Sequence, residues 1–288
     1  MRSSTRTQAE RPDQPSSRGR LWFNAISGDG ANLLSSIPSL LVSEIALGNE
    51  RVLLLAVVPD LNNRLPCARR GQVGILEAWH LAKQIRAAVE ADSEGVKRAI
   101  VAIIDVPSQA YGRREELLGI FLAAAAATDA YVRARRVGHP VIGLIVGSAI
   151  SGGFLTHGIQ ANRLLAFDDP TITVHAMAKT AAARVTCRTV EELDRLAESV
   201  IPMSYQIEDY ARLGTLHQLI SGVDVDSPTP DQIEQVKTYL KAAIADARAG
   251  SRDLTERYES PGARELRKAT LEIRRRLAAE WRRISEEE

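Results

Sequence analysis

The stretch IVGSAISGGFLTHGIQANRLLAFDDP, from Ile145 to Pro170, decides the fold. It starts in a continuous apolar run, passes through Gly147, Gly152 and Gly153, and emerges into a helical pattern. The first N–H groups of a helix have no partner within it, and glycines leave them uncovered. A helix N-terminus also carries partial positive charge, so this turn suits an oxygen that is negative or becoming so. The same glycines equally allow a tight strand-to-helix crossing against a neighbour.

Working outward, buried-strand and helical patterns alternate. RVLLLAVVPD (51–60), RAIVAIIDVP (98–107) and HPVIGLIVG (139–147) are short Val- and Ile-rich runs of the kind buried on both faces of a sheet. NRLLAF (162–167) and TITVHA (171–176) are shorter candidates. Helical patterns fall at 74–91, 115–138 and 154–161. The second opens with Glu115 and Glu116, closes with Arg133, Arg135 and Arg136, and has Gly138 as its stop, which suits the helix dipole. Strand and helix repeated in this way predict a layered α/β fold.

After Thr189, which with Glu192 forms a capping-box pattern, the chain reads as helical. A helix is expected from DSPTPDQ (226–232) to about Ala249. The arginine-rich C-terminal stretch carries a stripe of Leu266, Leu271, Ile273, Leu277 and Trp281, expected to dock a solvated helix. Residues 1–19 are polar and expected to form a disordered tail, with regular structure from Leu21. The main domain is expected over 20–250 and the charged helical extension over 251–288.

The charge is balanced, with 37 Lys and Arg against 36 Asp and Glu, so composition favours neither nucleic acid nor a membrane surface. No stretch reads as a signal peptide or membrane span, and a cytoplasmic protein is expected. Cys67 and Cys187 stand apart in no metal-like spacing, so idle or buried thiols are expected, with neither a disulfide nor a metal site.

A second loop, DVPSQAYGRREELLG (105–119), also leaves a buried strand and enters a helix. Two such loops side by side supply two sets of N–H donors, the makings of an oxyanion hole. Paired with VGSAISGGFLTHG (146–158) and VHAMAKTAAARVT (174–186), this loop resembles the carboxyltransferase branch of the crotonase superfamily, whose members bind acyl thioesters and stabilise their enolates. Within that branch the chain is similar to the gamma-subunit family of biotin-independent malonate decarboxylases, a likeness extended by GNERVLLLAVVPDLNNRLPCARRGQVGILEAWHLAKQIR (48–86) and ADARAGSRDL (245–254).

The resemblance implies a crotonase-like β-β-α superhelix and a subunit that works with a beta subunit, each contributing a half-site. Together they turn a malonyl thioester into an acetyl thioester and carbon dioxide. The thioester rides on an acyl-carrier delta subunit bearing a phosphoribosyl-dephospho-CoA arm, and an alpha subunit acts as transferase; neither biotin nor metal takes part. By motif position, Gly152 is the N–H donor to the oxyanion, with Ser151 and Gly153 shaping the turn and Gln109 and Ala110 as further backbone donors. Ser108, Tyr111 and Arg113 are candidates for the carrier arm.

His175 and Lys179, four apart, lie on one helical face if the helix has begun there, and either is a candidate to hold the carboxylate or deliver a proton. His157 is assigned to packing. Three other readings stand beside this one. A serine hydrolase would use Ser151, although Ala149 stands where its elbow wants glycine. A biotin-dependent carboxyltransferase half is chemically closer. A non-catalytic scaffold would complete the beta subunit's site.

Overall fold

A computed structural model describes residues 14–28 and 32–287. The chain opens with α1 (Arg18–Ser27), β1 (Leu40–Leu47), β2 (Glu50–Val57), α2 (Ile75–Ala91) and β3 (Ala99–Val106). The middle holds α3 (Arg113–Leu117), α4 (Ile120–Arg136), β4 (Val141–Ile150), α5 (Ser151–Thr156), β5 (Arg163–Phe167) and β6 (Val174–His175). Next come α6 (Lys179–Val185), α7 (Val190–Ser199), α8 (Ile207–Arg212), β7 (Gln218–Ile220) and α9 (Pro230–Ala249), then α10 (Thr255–Glu259), α11 (Pro261–Leu266) and α12 (Lys268–Glu287).

The strands form one sheet in the order β1-β2-β3-β4-β5-β7, with β6 attached to β4 off that path. All pairings are parallel except β1 with β2. Every residue of β3 is buried, as the unbroken apolar run predicts for a central parallel strand. The branch is what builds the site. Near its C-terminal end β4 parts from β5 and pairs with β6 through Ala149 and Ile150, while its register with β3 slips between Ile104 and Val106.

The capping box expected at Thr189 is present, and a second, not foreseen, starts the helix after Thr229. Thr189 accepts from the Glu192 N–H at 3.1 Å, and Thr229 from the Gln232 N–H at 3.3 Å. Other expectations need correcting. Strand β1 was not foreseen, although Gly48 and Asn49 close a two-residue hairpin in which Gly48 takes φ 63°. The single helix over 115–138 is two, because Gly119 at φ 80° turns left-handed between α3 and α4. The expected tail lies outside the described residues at 1–13, and regular structure starts at Arg18 rather than Leu21.

That early start has a physical cause. Arg18 forms a two-pronged ion pair with Asp226 at 2.7 and 2.8 Å, and Trp22, fully buried, donates its indole N–H to the Val225 carbonyl at 3.0 Å. The Trp22 ring also meets Phe167 at 4.5 Å between centroids. At the other end the C-terminal stretch forms three helices, and its stripe is docked only near its start. Leu266 and Leu271 are half-buried, whereas Ile273, Leu277 and Trp281 are exposed. Of the two thiols, Cys67 is half-buried and Cys187 exposed.

Because α1 is held by Trp22, Trp22→Ala is expected to cost about 3 to 5 kcal/mol in urea unfolding. A change below about 1 kcal/mol would mean that α1 is not part of the cooperative unit.

Candidate active site

The site is assembled where β3 and β4 end. Asp105, the one acidic residue in the apolar run IVAIIDV, is buried and accepts three hydrogen bonds: from the Ser148 N–H at 3.1 Å, the Gly19 N–H at 3.1 Å and the Ser16 hydroxyl at 2.5 Å. Gly147 is glycine because the Asp105 carboxylate occupies the place of its Cβ. This residue was missed from sequence, though a carboxylate ending a buried strand was a signal that it must be partnered inside.

Four residues past Gly147 the backbone turns. Ser151 takes φ 62°, a left-handed conformation that costs a non-glycine residue about 1 to 2 kcal/mol, and α5 begins there with no side chain capping it. Gly152 and Gly153 supply the next N–H groups. The 108–109 loop lies directly against them. A Cβ on Gly153 would overlap the Ser108 carbonyl, and one on Gly152 would overlap the end of the Gln109 side chain. Thus Gly153 permits a backbone approach, while Gly152 faces only a movable amide.

Not all the candidate donors are available. The Ala110 N–H is taken by the Val73 carbonyl at 2.9 Å, and the Val73 N–H in turn donates to Ser108 O at 3.0 Å, so the loop is stitched to Val73. Ala110 is therefore corrected from a donor to a tether, a pairing too distant in sequence to be read from it. Tyr111 is drawn into the turn, its hydroxyl 2.5 Å from Ser151 Oγ. Arg113 begins α3 and is exposed.

The structure therefore gathers Ser108, Gln109, Tyr111, Ser151, Gly152 and Gly153 at one turn, with His175 on the neighbouring strand in register with Ile150 and Lys179 lining one opening with Ile150. Those two do not share a helical face: His175 ends β6 and Lys179 starts α6. They meet instead on Tyr205, which was missed from sequence. The His175 ring stacks on it at 4.1 Å, and Lys179 Nζ lies 5.3 Å from its centroid. Lys179 is paired with Asp194 at 2.7 Å, and burial lowers the pKa of His175. His157 is wholly buried between Tyr131 OH at 2.9 Å and the Ile103 carbonyl at 3.0 Å, and burial pushes its pKa down to about 4.

Two openings flank the turn. One, of about 700 Å³, is lined by Pro107, Ser148, Ile150, Thr173, Lys179 and Tyr205. The other, of about 260 Å³, has Gln109 and Gly152 at its base and Ile120, Phe121, Ala124 and Leu155 on its walls. Leu117, Leu118, Phe121, Leu122 and Leu155 are exposed large apolar side chains on these elements, and Phe121 and Leu155 share the smaller cleft. Among the described residues no cluster of His, Cys, Asp and Glu could hold a metal ion, and no helix is long and apolar enough to cross a membrane.

Ser151 has the strained turn of a nucleophile elbow, but its described hydrogen-bond partner is a tyrosine hydroxyl and not a histidine, so the hydrolase constellation is not assembled. What remains is a helix N-terminus opening beside a second loop's backbone. Residues 68–281 match the malonate decarboxylase gamma subunit family, MdcE. The chain belongs to that family.

It is similar along 92% of its length to every residue of a chain in a Pseudomonas malonate decarboxylase hetero-tetramer in complex with coenzyme A, at 50% identity and a TM-score of 0.87. A Pseudomonas malonate decarboxylase MdcD–MdcE hetero-dimer gives 49% identity, the same coverage and a TM-score of 0.83. The malonyl-S-ACP:biotin-protein carboxyltransferase MADD of Malonomonas rubra is 30% identical over 236 residues, 80% of each chain. Transcarboxylase 12S shares only the fold, at 17% identity, a TM-score of 0.58 and coverage of 80% of this chain and 42% of that one. The expected crotonase-type carboxyltransferase fold is thereby confirmed, and the chain is a malonate decarboxylase subunit.

Two predictions follow from this geometry. Gly153→Ala, which meets backbone, is expected to destabilise the fold measurably more than Gly152→Ala, which meets only the Gln109 side chain; equal melting temperatures would contradict that ordering. The second concerns acid. His139, His157, His175 and His217 all have lowered pKa values, chiefly through burial. Below the ordinary value of 6.5 the unfolded chain binds protons that the fold refuses, so stability should fall from pH 6.5 towards pH 4. His157→Gln should flatten part of the slope in urea midpoints measured across that range.

Proposed function

We propose that the N-terminus of α5 holds the oxygen that gains charge when a malonyl thioester loses carbon dioxide. As the C–C bond to the carboxylate breaks, its electron pair passes into the thioester carbonyl, and the negative charge on that oxygen grows towards the transition state. Donors already fixed in place stabilise that charge without reorganising. The observation that carries this reading is the uncapped turn at Gly152, open to the smaller cleft and flanked by the Gln109 backbone. No base is needed at carbon, because the departing carboxylate supplies the electrons. A proton is delivered afterwards, with Lys179, on the wall of the larger opening, and His175, stacked on Tyr205, as its candidate sources.

The partner in this reading is a beta subunit completing the cleft. Exposed Phe121 and Leu155, which line the cleft with Gly152, and the exposed leucines around Gly119 form the apolar surface that a second subunit would cover. The substrate arrives on an acyl-carrier delta subunit loaded with the help of an alpha subunit, in a cytoplasmic complex. The carrier's phosphoribosyl-dephospho-CoA arm presents the thioester. The opening of about 700 Å³ is wide enough for such a narrow chain, and its Lys179, Tyr205 and Ser148 offer the polar contacts that would orient it. Tyr111 supports the turn through Ser151, while Arg113 is left facing solvent, where an incoming carrier can meet it.

The biotin-dependent reading has one observation in its favour, the relative from Malonomonas rubra, which passes its carboxyl group to a biotin protein. That likeness is at 30% identity against 50% for the Pseudomonas decarboxylase chain, so a proton is the favoured acceptor.

Mass spectrometry of malonyl-loaded carrier tests the proposal. Acetyl carrier is expected only when this chain and its beta-type partner are both present and biotin is absent. Gly152→Val, whose side chain collides with Gln109 beside the turn, should disturb the donor and lower turnover at least about a hundredfold while the two subunits still co-elute, given that one lost oxyanion donor costs a hundred- to a thousandfold. Undiminished turnover in that variant would move the chemistry to the beta subunit and make this chain its scaffold.

A further inference from the structure

The Gln109 backbone enters the candidate site from a loop that no hydrogen bond of Asp105 reaches. A second buried carboxylate holds that loop. Glu77, in the first turn of α2, has no exposed surface and accepts three hydrogen bonds. Its Oε1 takes the Ser39 hydroxyl at 2.5 Å and Asn63 Nδ2 at 2.8 Å, and its Oε2 takes the Gly74 N–H at 3.0 Å. All three donors are neutral, so the burial is costly. Capping α2 accounts for the bond to Gly74 alone and does not require a buried side chain.

The Gly74 N–H and the Val73 carbonyl belong to one planar trans peptide and point in opposite directions. Glu77 takes the N–H on one side, and on the other the carbonyl receives the Ala110 N–H at 2.9 Å. The Val73 N–H donates to the Ser108 carbonyl at 3.0 Å, which completes a parallel bridge between Val73 and Gln109. The contact is close because Gly74 has no Cβ: one there would meet Glu77 Oε2 and the Ala68 side chain.

In such a bridge Val73 bonds to the residues on either side of Gln109, so the N–H and carbonyl of Gln109 itself face away from Val73. The Ser108 hydroxyl takes the Gln109 carbonyl at 2.7 Å. The Gln109 N–H makes no hydrogen bond among the described residues, and its nitrogen lies close to Gly153. It shares a peptide with the Ser108 carbonyl, and a hydrogen bond on a carbonyl polarises the N–H of the same peptide. Val73 thus both aims this donor and strengthens it.

We propose that Glu77 is a positioning residue for decarboxylation, holding the 73–74 peptide so that the Gln109 N–H is fixed and polarised as an oxyanion donor; this rests on the reading that the charged oxygen binds at the Gly152 turn. Glutamine matches the volume of Glu77 but brings only one acceptor atom. With its oxygen towards Gly74, its amide nitrogen meets Asn63 Nδ2, and Asn63 Oδ1 is already engaged by the Leu65 N–H at 2.9 Å. Turned the other way, the amide nitrogen meets the Gly74 N–H.

Two measurements on the complex of this chain with its beta-type partner test the proposal. One is the infrared band of acetyl carrier isotopically labelled at the thioester carbonyl, and the other is steady-state turnover of malonyl carrier, expressed per folded chain. Hydrogen bonding lowers a carbonyl stretching frequency, so the band in the wild-type complex should lie below that of free carrier. Glu77→Gln should return it towards the free value and lower kcat at least about tenfold with KM changed less than about twofold, since a weakened donor costs less than a lost one. Should that variant fail to fold, Ser39→Ala, which leaves Oε1 only its Asn63 donor, carries the test and should move the band the same way and lower kcat at least about threefold. A band lowered in the wild type and equally lowered in these variants would overturn the proposal and leave the oxyanion reading intact. A wild-type band at the free value would overturn that reading and the proposal with it.

Discussion

The Asp105 carboxylate is the interaction on which the rest of this structure depends. It is buried, and it joins three chain segments: the end of β3 that carries it, the Ser148 N–H on β4, and the N-terminal segment through Ser16 and Gly19. A buried charge is tolerated only when its lone pairs are met, so each segment is obliged to stay where the carboxylate needs it. The consequences run in order along β4. Gly147 has no room for a side chain, the strand turns away to pair with β6, and Ser151 accepts a left-handed backbone so that α5 can start beside the 108–109 loop. The strain at Ser151 is held in place by packing and by the Tyr111 hydroxyl, as strained residues at functional sites require. A turn fixed in this way is set before any substrate arrives, which is the condition for electrostatic stabilisation of a transition state.

How much of this was legible from sequence depended on how local the cause was. The buried strands at 98–107 and 139–147 were readable because continuous apolar runs have few other interpretations, and the cap at Thr189 because its partner lies three residues away. Strand β1 carried a readable signal in its Gly-Asn turn that was passed over. The break at Gly119 was harder to foresee, since glutamates, alanines and arginines around it favour one long helix. The occupation of the Ala110 N–H by Val73 was not legible at all, because it depends on a contact between distant segments that only the folded chain creates. The same is true of Tyr205, which unites His175 and Lys179 without any sequence spacing that announces it.

The glycines themselves show why two readings of one motif need not compete. Gly153 serves close packing, since backbone of the neighbouring loop fills its side-chain space, while Gly152 meets only the tip of a flexible amide. Packing at the first glycine is what brings the Gln109 backbone near enough to act with the second. The crossing that could have explained the motif away is thus the means by which two loops are brought together into one site.

The exposed rim extends the argument beyond the single chain. Gly119 opens α4 in a left-handed turn, Leu117, Leu118, Phe121 and Leu122 are exposed around it, and Phe121 and Leu155 line the cleft that holds Gly152. Each exposed side chain is unremarkable alone, but together they leave apolar surface uncovered where an oxyanion site would most need water excluded. In water a hydrogen-bond donor is worth little, and in a dry cleft it is worth several times more, because the effective dielectric falls. The turn therefore has the right donors in the wrong medium until something covers the rim. A half-site of this kind gains its electrostatic strength from assembly, and its chemistry is a property of the interface as much as of the glycines that begin it.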